Sequence, residues 1–142
     1  MAVNEVRTHR SALHPIHAVL LAGTIPLFLG GMLSDIAYSV SYEIQWNNFS
    51  SWLIAGGLVF GGFALLLAII DLVRSDHRSA YSFVYPVLLI VAWVIGFLNS
   101  LVHAKDAWAS MPTGLMLSVI VFILVGAATW VGFARWGIGG ER

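Results

Sequence analysis

A chain of 142 residues that is 59% hydrophobic and only 10% charged is far too poor in charge for a soluble domain, where about 25% is usual. Its formal net charge is zero and no basic run interleaves with aromatic residues, so nucleic-acid binding finds no support. There is no cysteine, which removes disulfides, thiolate ligands and iron–sulfur clusters of its own.

The apolar residues gather into four stretches, roughly 16–38, 51–73, 81–102 and 113–134, and nearly all the charge lies between them. Each stretch reaches the ~20 residues needed to cross a hydrocarbon core of about 30 Å. Lipid gives backbone groups no hydrogen-bonding partner, so such spans are helices or closed barrels. Period-two alternation is absent and the runs exceed barrel strands in length, which predicts helices. The expected fold is all-α: four transmembrane helices in an antiparallel bundle, one domain over residues 1–142.

Arg7 and Arg10 precede the first stretch, which is longer than the ~7–15 apolar residues of a signal peptide and is read as a retained helix. His14-Pro15-Ile16-His17 opens it, and Pro15 suits a first helical turn, where a backbone donor is not needed. Pro26 removes a donor midway and predicts a kink. Asp35 stands near the end, and residues 39–50 form the expected loop.

The second stretch carries Gly57, Gly61, Ala64, Ala68 and Asp71 at spacings of three and four, all on one face. Small residues let helix backbones approach closely inside lipid. That face suits packing within the chain or a homodimer contact. His77 falls in the next connection, and Pro86 lies near the expected start of the third helix, which ends with Asn99 and His103 one turn apart. Pro112 introduces the fourth.

With four spans, Arg7, Arg10, Arg74, Arg78, Arg135 and Arg142 share one side and only Lys105 lies on the other. The positive-inside rule then places both termini on the cytoplasmic side. Trp46, Trp52 and Trp108 near one surface, and Trp130 and Trp136 near the other, suit interfacial belts.

Ionisable groups at membrane depth are costly and mark candidate sites. On the cytoplasmic side, His14, His17, Asp71 and His77 form a possible metal or haem cluster, since two imidazoles and a carboxylate suit zinc, copper or iron. The alternative there is histidines that hydrogen-bond a carboxylate. On the opposite side, an Asp35–His103 pair with Asn99 alongside is the expected contact, either a structural tie or a proton-responsive element. Eighteen residues, five helical turns, separate His17 from Asp35 and Tyr85 from His103, so each pair shares a face. His17 and His103 then lie more than about 20 Å apart and cannot clamp one haem within a monomer.

Together with Pro26-Leu27-Phe28-Leu29-Gly30-Gly31, Ser34-Asp35-Ile36-Ala37-Tyr38, Phe49-Ser50-Ser51-Trp52-Leu53, Asp71, Leu98-Asn99-Ser100, His103-Ala104-Lys105-Asp106-Ala107-Trp108 and Pro112-Thr113-Gly114-Leu115, the His14–His17 motif resembles a family of predicted bacterial membrane proteins, domain of unknown function 2231. The resemblance implies four transmembrane helices in an inner membrane and, through members fused to Rieske-type ferredoxin modules, a link to electron transfer. Family histidines are replaced near Ala22, at Tyr85-Pro86 and in the segment Trp136-Gly137-Ile138-Gly139-Gly140.

Three functions are weighed. The leading one is a non-catalytic accessory or interaction protein, in contact with the bilayer and with a homodimer mate or membrane redox partner. The second is a membrane electron-transfer protein holding haem b or a transition metal on His14, His17 and Asp71. The third is a proton-coupled carrier using Asp35 and His103.

Overall fold

In a computed structural model, residues 14–74, 80–105 and 107–136 are described. They form α1 (Pro15–Ser41), α2 (Ile44–Arg74), α3 (Ala80–His103), the single turn α4 (Ala107–Ser110) and α5 (Thr113–Trp136). Four segments are long and apolar enough to cross a membrane: Pro15–Ser41, Ile44–Arg74, Phe83–His103 and Thr113–Ala134.

Local chemistry explains where these helices begin and end. His14 caps α1, its Nδ1 accepting from the Ile16 amide at 3.3 Å, and Pro15 fills the first helical position. Tyr42 ends the helix in the left-handed region (φ 56°), its amide donating to the Tyr38 carbonyl at 2.9 Å. Only Tyr42 and Glu43 separate α1 from α2, so the expected loop over 39–50 is mostly helix. The polar residues Gln45, Asn47, Asn48 and Ser50 lower the local hydropathy but keep a helical period, with Asn47 and Ser50 turned inward. At 1.5 Å per residue the 31 residues of α2 extend about 46 Å, beyond a hydrocarbon core of about 30 Å.

Both internal prolines lie inside continuous helices. Pro86 lies in the second turn of α3, which begins at Ala80, one residue before the expected start at 81.

The long helices pack around a ring: α1 on α2, α2 on α3, α3 on α5 and α5 on α1. Along α1 and α2 the contacts run from Gly23 against Phe60 to Gly30 against Leu53, numbers rising on one helix as they fall on the other. Leu21, Ala68, Tyr85, Leu89 and Ala128 form one apolar layer. Phe28, Ile54, Ala92, Val121 and Val125 form the next. Large side chains on the outer faces, such as Val19, Phe63, Val94 and Ile123, are exposed and belong to lipid.

The small-residue face of α2 is covered by this same chain. Gly57, Ala64 and Ala68 are buried. A Cβ on Gly57 would come within 2.8 Å of the Phe28 ring, so glycine is required for that approach. Gly61 is looser, with Thr24 and Trp93 at 3.8 Å from the same hypothetical atom. Trp93 donates its indole N–H to the Leu58 carbonyl at 3.0 Å, across a gap that Gly62 leaves open.

Candidate functional site

Two polar clusters sit at opposite ends of the apolar layers. The larger is a hub built from all four spans: Asp35 on α1, Ser50 on α2, Asn99 and His103 on α3, and Ser118 on α5. Every one of them is buried.

Its hydrogen bonds follow one direction. His103 Nδ1 lies 3.0 Å from the Asn99 carbonyl, which can only accept, so Nδ1 carries a hydrogen. The other ring nitrogen, Nε2, is 2.8 Å from Asp35 Oδ1 and 3.2 Å from Ser50 Oγ. Asn99 Nδ2 donates to Ser118 Oγ at 2.8 Å, and Ser118 in turn donates to Asp35 Oδ2. One proton therefore lies between Nε2 and Oδ1. Whether it rests on the ring or on the carboxyl, the pair is neutral overall, which is what a buried site in lipid demands.

Backbone placement makes this possible. A Cβ on Gly114 would lie 2.8 Å from His103 Cε1, so the start of α5 rests against the imidazole. Gly31 similarly lets α1 approach α2 at Ser50 and Ile54. One turn before Ser50, Asn47 Oδ1 accepts from Ser110 Oγ at 3.1 Å, tying α2 to α4. Asn99 Oδ1 is buried with no hydrogen-bond partner among the described residues.

At the other end, His17 Nε2 lies 2.8 Å from the Tyr85 hydroxyl, both residues fully buried. Its Nδ1 is 3.5 Å from Asp71 Oδ2, whose side chain is half exposed. A Cβ on Gly132 would meet Tyr85 Cε2 at 2.9 Å, so α5 leaves space for the phenol ring.

The structure thus brings Asp35, Asn99 and His103 together, and sets His17 beside Asp71. His14 is exposed and caps the start of α1. His77 lies outside the described residues. Among the described residues no three His, Asp or Glu side chains converge as metal ligands. Sequence reasoning missed Ser50, Ser118 and Gly114. Ser118 had a signal, being the one polar side chain in the apolar run from Gly114 to Ala128. Ser50 and Gly114 stood only among the residues that carry the family resemblance.

The family model described as "Predicted membrane protein (DUF2231)" matches residues 13–136. No curated protein and no solved structure matches the chain.

Proposed function

Since the chain belongs to this family of predicted membrane proteins, we propose that it is a non-catalytic accessory protein of a bacterial inner membrane, one antiparallel four-helix bundle over residues 1–142. Both termini are cytoplasmic in this reading, which rests on the six arginines sharing one side. The falling numbers along paired helices support the antiparallel order.

The observation that carries the proposal is the hub. Each span contributes a polar group, and those groups are directed at one another: His103 to Asp35, Ser118 to Asp35, Asn99 to Ser118. Polar side chains used in this way fix helix positions in lipid. An accessory protein needs a rigid bundle of this kind to present its outer surface to a neighbour.

The competing reading, haem or a transition metal on His14, His17 and Asp71, has less to rest on. His17 Nε2 is engaged by Tyr85, and His14 is turned to its own helix start. The carrier reading is opposed by the apolar layers that separate the two polar clusters. The test is an absorption spectrum of the native protein, oxidised and then reduced, with metal analysis of the same sample. The accessory reading expects no Soret band and no stoichiometric metal. A Soret band or bound metal that His17→Ala abolishes would replace it with the electron-transfer reading.

A further inference from the structure

A cleft of about 390 Å³ opens beside the end of α1 and the start of α5, one turn beyond the hub. Its walls include Tyr38, Tyr42, Trp108, Met111, Pro112 and Leu115. The volume lies in the range of small-molecule sites.

Two features set it apart from an ordinary interfacial belt. Tyr42 adopts φ 56°, a conformation that helix ends usually assign to glycine and that a bulky residue rarely takes. Its ring then stacks on Trp108, centroids 5.7 Å apart and planes 18° from parallel. Yet Tyr42 is 61% exposed and Trp108 80% exposed, so the strained backbone builds an open aromatic wall and not a buried contact. The turn that ends α1 and leads into α2 thus also sets an exposed aromatic pair at the mouth of the cleft.

We propose that this cleft binds a membrane lipid with a head group of no net charge. The first span ends at Ser41 and the fourth begins at Thr113, so the cleft lies at the level where lipid head groups meet acyl chains. None of the described side chains lining it is charged, which leaves an anionic head without a counter-charge. Met111, Pro112 and Leu115 accept the upper part of an acyl chain. The phenol hydroxyls of Tyr38 and Tyr42 offer hydrogen bonds to the glycerol and head group, while the Ser39 hydroxyl, which donates to the Ile36 carbonyl at 2.7 Å, can only accept.

The test reconstitutes the full chain in phosphatidylglycerol vesicles doped with a phosphatidylethanolamine that carries a diazirine on one acyl chain. After illumination, adducts are mapped by mass spectrometry. Adducts should concentrate on Tyr42, Met111 and Leu115 and fall several-fold when unlabelled phosphatidylethanolamine is added. Adducts spread evenly to Val94, Ile120 and Ile123, without competition, would overturn the proposal. Tyr42→Gly suits the left-handed backbone and should keep or raise the melting temperature while cutting cleft adducts at least five-fold. An unchanged adduct yield in that variant would overturn it as well.

Discussion

His103 is the residue on which the hub turns, because its two nitrogens face an obligate acceptor and a carboxyl group. Nitrogen NMR of labelled protein should find Nδ1 protonated; a bare Nδ1 would contradict the bond to the Asn99 carbonyl. The carboxyl side separates two substitutions. Asp35→Asn can still donate to Nε2 and accept from Ser118, so it should cost only about 1 kcal/mol, the net worth of an ordinary hydrogen bond. Asp35→Ala strands both neighbours in a buried site and should cost about 3 kcal/mol. Thermal unfolding in detergent checks the order; equal losses would mean that Asp35 acts by filling space. Gly114→Ala should also destabilise, since the new methyl group meets the imidazole at 2.8 Å. That His17 and Asp35 share a face of one helix, and Tyr85 and His103 a face of another, was legible from the eighteen residues within each pair. Ser50 was hidden because a serine in a polar helix start looks like loop, and only the tertiary approach at Gly31 turns it inward.

At the scale of the helix, the four apolar runs were readable from length and hydropathy, and their edges were not. The start of α2 was misplaced because Trp46, Asn47 and Phe49 mix polar and aromatic residues at a membrane boundary, where hydropathy fades before the helix does. The third helix, by contrast, begins at Ala80, within one residue of the apolar run's edge at 81, with Pro86 in its second turn. The glycine face on α2 was visible, but its tight point was not. Gly57 meets the Phe28 ring, while Gly61 has room for a methyl group. Gly61→Ala should therefore be neutral or stabilising by up to about 1 kcal/mol through helix propensity. Gly57→Ala should cost about 1–3 kcal/mol by overpacking. Melting temperatures of the two variants compare them directly, and equal effects would show that Phe28 moves freely.

For the whole molecule, the two polar clusters act as clasps at either end of the apolar layers. His17 with Tyr85 and Asp35 with His103 each reach from α1 to α3, helices that lie across the ring from one another. Such diagonal ties constrain all four spans, since the intervening helices are held between them. The proposed orientation can be tested with single cysteines, because the natural chain has none. Glu43→Cys should react with a membrane-impermeant maleimide on intact spheroplasts, and Arg7→Cys only after lysis. The reverse pattern would invert the topology while leaving the clasps in place.

The central claim is that Asp35 and His103 hold one another and, through that bond, hold the bundle. A double-mutant cycle of Asp35→Ala and His103→Leu, read as unfolding free energy in mixed micelles, measures it. We predict a coupling of about 2 kcal/mol, well above the ~0.6 kcal/mol average of interhelical hydrogen bonds in a membrane protein. Losses that add to within about 0.5 kcal/mol, as for independent sites, would contradict the account.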